Sequence, residues 1–387
     1  MAGQGPNAHH GPLAPGLRLT ASDRPGIAQP VPERDVPPLP WKRMMLVILL
    51  IVLLLTAAWE MEMRRRGYEV GDLGSEPSGW AEQRRRLDTE NPPVAIVGDS
   101  RILFDTDLER FRQMTGVKPV QLALEGTNAR PLLEDIADHT RFNGLLIVGI
   151  TELSYYRPEM GLGKKAFDRF AKESPSEHVS FLLGRTLRRG LAFLDESAAL
   201  STMVHHLDRS GRKGAYGPYD DVWKMAITHD DRQYWLWPEI ERNKFVRDHA
   251  IRMWMIIYSF PGPKPNVIAM TEAKTKAAVA KIRARGGEVV FVRPPSAPAL
   301  RKLEDERLPR ATGWEKLLKA AAVQGVHADD MPVLGDIAIP ELSHVSKACA
   351  PLFTDAYVRA LTRITPRIRL RGDAPPPLTS TACPSRK

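Results

Sequence analysis

The stretch Val94-Ala95-Ile96-Val97-Gly98-Asp99-Ser100-Arg101 decides the fold. Four apolar residues closed by a glycine have the length and uniform apolarity of a strand buried on both faces, as strands of a parallel sheet are. Two more such runs follow, GLLIVGIT (144–151) and EVVFVRP (288–294), the second closed by Pro294 and Pro295. PVQLAL (119–124) reads as a further strand, and a weak fifth is expected between Val326 and Ile339. Helical segments alternate with them. Asp107 caps one that runs to about Thr115, and Arg130 to Thr140 puts Leu132, Leu133 and Ile136 on one side. Thr271 to Arg285 ends at Gly286-Gly287, followed by Trp314 to Val323 and Val345 to Ile364. Alternating β and α elements predict an α/β domain over residues 91–370, with a parallel sheet covered on both faces. Its active site is then expected beyond the carboxyl ends of the strands.

The rest of the chain frames this domain. With 387 residues, 43% apolar and 26% charged, it is neither wholly disordered nor a polytopic membrane protein. A net charge of +9 favours anionic surfaces, but no nucleic-acid-binding motif is present, so no nucleic-acid partner is expected. Two cysteines build neither a disulfide scaffold nor a Cys-rich zinc site. Residues 1–43 read as a disordered Pro-rich tail, with nine of the 33 prolines in the first 40 positions.

Residues 44–59 run MMLVILLIVLLLTAAW without a charge. The run spans roughly 24 Å at helical rise, slightly less than a bilayer core of about 30 Å. Trp41 and Trp59 bracket it, and Lys42, Arg43 and Arg64 to Arg66 flank it as snorkelling cations, so 44–62 is expected to be a single transmembrane anchor in lipid. The rival is a signal peptide cleaved near Thr56-Ala57-Ala58, which the 43-residue leader disfavours. Basic residues on both sides leave the orientation open.

Residues 63–90 read as a charged linker and 371–387 as a second disordered tail. Residues 153–262 interrupt the β/α rhythm as a mostly helical insertion holding 16 of the 27 aromatic residues, among them Tyr155, Tyr156, Trp223, Tyr234, Trp235, Trp237 and Trp254. They form either the core of a helical subdomain or a substrate wall.

Ser100, just past the first strand and before a helix, is exposed at the catalytic edge of such a sheet. The helix start offers free N–H groups to a developing oxyanion. The alternative is a turn in which Asp99 and Ser100 cap the helix. At the other end of the domain, Glu341-Leu-Ser-His344-Val-Ser346 places a carboxylate three positions before a histidine. That carboxylate can hold one ring nitrogen while the other serves as a base.

With G-D-S-R at 98–101, Gly126 in L-E-G-T-N, VVFVRPPSAP at 289–298 and E-L-S-H-V-S at 341–346, the chain resembles the SGNH (GDSL-like) hydrolase superfamily over about residues 94–366, in its membrane-anchored bacterial form. The resemblance implies a three-layer flavodoxin-like parallel sheet of SGNH type. It also implies Ser100 as nucleophile, His344 as base, Glu341 as the orienting carboxylate, and the Ser100 and Gly126 N–H groups in the oxyanion hole. Two departures stand out. The carboxylate is Glu341 where the family carries Asp, with Asp336 as a poorer-spaced fallback. The third block reads Gly149-Ile-Thr151-Glu152 and lacks the oxyanion Asn, for which Asn128 or the Thr151 hydroxyl would have to substitute. Asn128 reads equally well as a turn residue, and Glu152 as a strand-end carboxylate with a structural partner.

No metal and no cofactor are expected, since seryl acyl chemistry needs none. His205-His206-x-Asp208 and His229-Asp230-Asp231 lack zinc-motif spacing. Cys349 reads as a small buried residue, with a Cys349–Cys383 disulfide open in an oxidising compartment. The expected function is a serine esterase or O-acyltransferase on an ester, with an envelope carbohydrate as the favoured substrate class. The domain would be periplasmic, anchored in a bacterial inner membrane. The alternative is a catalytically weak SGNH-fold component that binds glycan or envelope proteins.

Overall fold

The computed structural model describes residues 17–19, 30–32, 39–74, 77–157, 161, 163–199, 202, 224–257 and 261–383. The chain divides into two compact units, residues 1–58 and 59–387. In the first, β1 (Leu17–Leu19) pairs antiparallel with β2 (Pro30–Pro32), so part of the expected tail carries a short ladder. Helix α1 runs Trp41–Arg65, starting before and ending after the expected anchor, and it is long and apolar enough to cross a membrane. Its 25 residues correspond to about 37 Å, which exceeds a bilayer core of about 30 Å. From Met44 to Leu55 the large apolar side chains are 40 to 69% exposed.

The second unit is built on five parallel strands: β3 (Val94–Gly98), β4 (Val120–Gln121), β5 (Leu145–Gly149), β8 (Glu288–Arg293) and β9 (Gln324–His327). Their spatial order is β4-β3-β5-β8-β9. That is the 2-1-3-4-5 order of flavodoxin-like doubly wound sheets, with the switch point between the first and third strands. Successive residues of each strand point to opposite faces, which explains the unbroken apolar runs. Ile96, Leu145, Ile147, Val290 and Val292 pack on one side with α3 (Ser100–Asp105), α4 (Leu108–Thr115) and α14 (Ala350–Ile364). Ala95, Val97, Leu146, Val148, Val289 and Phe291 pack on the other with α5 (Ala129–His139), α11 (Pro265–Ala284) and α13 (Lys316–Ala321).

Several boundaries differ from expectation for physical reasons. The fifth strand stops at His327, and 3₁₀ turns at 328–330 and 332–334 follow it. The last helix starts at Ala350, because residues 341–346 are held as a loop by side-chain bonds, and Pro351 suits a first helical turn. Although β4 itself is short, Leu122 N and Leu124 N continue its ladder to Ile96 O and Gly98 O.

The expected linker is largely structured. It contains α2 (Pro77–Thr89), whose Trp80 and Arg84 are buried. Trp80 stacks on Phe167 of α7 (Lys164–Lys172) at 4.9 Å, and Arg84 binds Asp135 of α5. Lys224 Nζ binds Asp72, also from the expected linker, at 2.6 Å and Asp195 as well, and lies over the Tyr68 ring. The insertion is not all helical. Besides α6 (Glu152–Tyr155), α7, α8 (Pro175–Arg188), α9 (Glu239–Arg242) and α10 (Lys244–Ile257), it holds an antiparallel pair, β6 (Ala226–Thr228) with β7 (Tyr234–Leu236). Residues 371–383, expected as a tail, lie against the domain. Arg110 binds Pro376 O, Leu378 N binds Asp355, and Cys383 is disulfide-bonded to Cys349.

Candidate functional site

The site forms where β3 and β5 end side by side, Gly98 opposite Gly149. Neither glycine is needed for backbone freedom. A Cβ on Gly98 would lie 2.2 Å from Ile102 Cγ2, and one on Gly149 would lie 2.1 Å from Ile102 Cβ. The paired glycines let α3 lie tightly across the strand ends, and this fixes Ser100 at the head of that helix. Asp99 is its N-cap. One carboxylate oxygen accepts from Arg101 N at 3.1 Å and the other from Thr151 N at 2.8 Å. Burial pushes the Asp99 carboxyl up, opposed by the Arg101 guanidinium and by bonds from Thr151.

Three neighbours of Ser100 on α3 hold the loop that carries the histidine. Arg101 Nε donates to Ser343 Oγ at 3.1 Å. The ring of Phe104, one turn beyond Ser100, stacks on His344 at 4.3 Å and 27°. Asp105 Oδ1 accepts from Val345 N at 2.9 Å. Leu342, at φ 79°, makes the tight left-handed step within this loop, a conformation that costs about 1–2 kcal/mol for a residue with a side chain. Such strain is typical where a loop must present a particular side chain.

Glu341 is fully buried and saturated. Its Oε1 accepts from His344 Nδ1 at 3.1 Å, from Ser343 N at 3.2 Å, and from His344 N. Its Oε2 accepts from Trp254 Nε1 of α10. A carboxylate that accepts from Nδ1 leaves Nε2 as the imidazole's acceptor. That Nε2 is buried and has no hydrogen-bond partner among the described residues. The Ser100 hydroxyl, only partly buried, has none among them either. The structure thus brings Ser100, His344 and Glu341 to one edge of the sheet. It forms the His–Glu bond and leaves the Ser–His bond unmade. The fallback Asp336 is exposed and does not bind the ring.

The remaining oxyanion candidates divide. Gly126 is exposed at φ 56° in the loop just past the β4 ladder, beside the strand end of Ser100. Asn128 instead caps α5, accepting from Arg130 N at 2.8 Å, and its Nδ2 donates to Arg157 O. The turn reading of Asn128 is the one the geometry carries. Thr151 is buried, and its N–H donates to Asp99 at 2.8 Å.

Beneath the site lies an ion network that the sequence did not announce. Arg101 binds Glu304 Oε1 and Arg293 binds Glu304 Oε2, each at 2.5 Å, with Ser296 Oγ between the two guanidiniums. Arg293 also binds Glu152 at 3.2 Å, so Glu152 has the structural partner expected of a strand-end carboxylate. Burial pushes both carboxyls up, but Arg293 together with His327 outweighs it at Glu152, and Arg101 with Arg293 outweighs it at Glu304. Glu152 is held at about 2, and Glu304 well below the usual range. Two signals could have pointed here, the arginine that directly follows Ser100 and the arginine that closes an otherwise apolar strand at 293.

Among the described residues, most insertion aromatics are packing residues. Tyr155, Tyr156, Tyr234 and Trp237 are buried in the two cores, while Trp254 packs edge-on against His344 at 5.4 Å. Trp223, His205, His206 and Asp208 lie outside the described residues. Of the other acidic pair, Asp230 binds Arg189 and Asp231 binds Lys118. A scan against family models finds no match, and a search of curated proteins finds no relative.

Proposed function

We propose that this chain is a membrane-anchored, SGNH-like serine hydrolase or O-acyltransferase acting on an ester. One observation carries the reading. The helix that begins at Ser100 holds the loop of His344 by contacts at 101, 104 and 105, and within that loop Glu341 fixes the imidazole tautomer. In this mechanism Ser100 Oγ attacks the ester carbonyl as His344 Nε2 takes its proton, and Glu341 steadies the imidazolium. The tetrahedral intermediate collapses to a seryl ester, and the departing alkoxide takes the proton from His344. Water then gives hydrolysis, and a sugar hydroxyl gives transfer. The Ser100 and Gly126 N–H groups are the oxyanion donors of this reading, the Asn128 amide being engaged with Arg157 O.

The rest of the proposal follows from the anchor and the cysteines. An apolar helix of spanning length supports tethering to a membrane, and a disulfide fits an oxidising compartment such as the periplasm. A tethered enzyme in that compartment meets envelope carbohydrate esters, the substrate class we favour.

A second reading is a catalytically weak SGNH-fold binding component of the envelope. It draws on the burial of His344 under Trp254 and on the engagement of Asn128 in a helix cap. The deciding experiment treats the full-length chain in detergent with a fluorophosphonate probe and p-nitrophenyl acetate, beside Ser100→Ala and His344→Ala. Labelling and turnover lost in both variants support the enzyme. A folded wild-type chain that is neither labelled nor active supports the binding component.

A further inference from the structure

The tip of the β6–β7 hairpin reaches three parts of the candidate site with three consecutive residues. Arg232 Nε donates to Gln121 O at 3.2 Å and its Nη2 to Ala123 O at 2.7 Å, on β4 and its extension. Gln233 Nε2 donates to Thr106 O at 2.9 Å, and its Oε1 accepts from Leu108 N at 2.6 Å, where α3 gives way to α4. The Tyr234 ring meets that of Phe104 at 5.7 Å, and Phe104 in turn stacks on His344. All three tip residues are buried.

Arg232 is unfavourable where it stands. Among the described residues its guanidinium forms no ion pair with a carboxylate, and it rests on two carbonyls and on the Tyr234 ring 5.3 Å away. Burying a charge without a counter-charge is costly. Arg232 also lies at φ 58°, a conformation disfavoured for any residue with a side chain. Such features collect where a fold must fix a functional group.

The strand that Arg232 grips leads to that group. β4 is the edge strand of the sheet. Leu122 N and Leu124 N bond to β3, so the carbonyls of Gln121 and Ala123 face the open edge. A further strand would normally pair them, and here one guanidinium does. On the inner side Leu124 N holds Gly98 O, one residue before Asp99. The backbone is thus fixed from both edges just before it turns left-handed at Gly126, two residues past Leu124.

We propose that Arg232 is a positioning residue for the oxyanion site. By bridging Gln121 O and Ala123 O it sets the Gly126 N–H relative to Ser100, while Gln233 and Tyr234 steady the Ser100 helix and its contact with His344. This rests on the acyl-transfer reading of Ser100.

The test uses full-length protein in detergent with p-nitrophenyl acetate, beside Arg232→Met and Arg232→Lys. Fluorophosphonate labelling run to completion counts the competent sites, so that kcat is obtained per site, and circular dichroism reports folding. Arg232→Met removes both donors. Its kcat per site should fall about 10²-fold, the scale of a misplaced oxyanion donor, with KM within about twofold of the wild type. Arg232→Lys keeps the charge and one bond to a carbonyl, and should recover part of that loss. A residue that only supports the fold would lower the number of competent sites and leave kcat per site unchanged, and that result overturns the proposal. So does a raised KM at unchanged kcat, the mark of a substrate contact. If Arg232→Met does not fold, Arg232→Lys decides. A kcat per site at least about fivefold below the wild type supports the proposal, and a smaller loss overturns it. A wild type that is neither labelled nor active defeats the acyl-transfer reading itself, and this inference with it.

Discussion

The indole Nε1 of Trp254 donates a hydrogen bond to Oε2 of Glu341, the carboxylate whose other oxygen holds the candidate base. The same indole covers His344 edge-on, yet its helix is lightly seated. Of the α10 residues from Lys244 to Met255, only Ala250 is buried. Trp254→Phe keeps an aromatic ring and removes the bond, leaving a buried carboxylate oxygen without that donor. A loss of about 1–3 kcal/mol in urea unfolding is expected. Trp254→Ala should also open the imidazole, so diethylpyrocarbonate should modify His344 faster than in the wild type. Equal modification rates would show that the indole does not seal the ring.

Glu304 joins Arg101, which holds the histidine loop, to Arg293, which closes a central strand. All three side chains are almost fully buried. Glu304→Gln leaves two guanidiniums facing a neutral amide, and should cost about 3–5 kcal/mol. The pH dependence follows from the depressed carboxyls. Their unfolded forms bind protons more readily, so the stabilisation is complete above about pH 4. It fades as the pH falls and Glu304, held well below the usual range, takes up its proton. Urea midpoints of wild type and Glu304→Gln should therefore converge in acid. A gap that stays constant from neutrality to pH 2 would contradict this.

Asp105 behaves in the opposite sense. Burial pushes its carboxyl well above the ordinary range against the bond from Val345 N, and its Oδ2 has no partner among the described residues. Here the folded state holds its proton more tightly than the unfolded chain. Stability therefore falls as pH rises from the unfolded value through the folded one. Asp105→Asn keeps an oxygen for Val345 N and removes the titration. It should match the wild type near pH 4 and exceed it at neutral and alkaline pH. Thermal unfolding across that range checks the sign, and a variant less stable at every pH would refute it.

The legible parts of the chain were those whose physics is local. Val94 to Gly98, Leu145 to Gly149 and Glu288 to Arg293 announce themselves because strands buried on both faces carry no polar residue until their ends. The Glu341–His344 pair was readable for a similar reason, since three positions in a loop suffice to bring a carboxylate to a ring nitrogen. What escaped depends on distant partners. Arg84 and Arg101 look like surface charges until Asp135 and Glu304 meet them from 51 and 203 residues away. Charged α2 therefore read as linker, and the network under Ser100 went unseen. Asn128 shows the reverse case, a polar residue near the site whose cap bond to Arg130 N is local and whose bond to Arg157 O is not.

Cys383 stands in a Pro/Ser/Thr-rich stretch that composition alone would leave unstructured, but its bond to Cys349 at the head of α14 closes a loop of 34 residues. Denying the unfolded chain that loop freedom is worth about 3–4 kcal/mol. The cysteine also sits in a packed environment, since its sulfur lies 3.5 Å from Ala338 N and Leu378 N binds Asp355 nearby. Cys383→Ser should therefore lower stability to urea by that free energy, and dithiothreitol should lower the wild type to match it while leaving the variant unmoved. Non-reducing peptide mapping of the chain isolated from membranes should recover residues 349 and 383 in one linked fragment. Two free thiols there would remove both the stabilisation and the support it lends to an oxidising compartment.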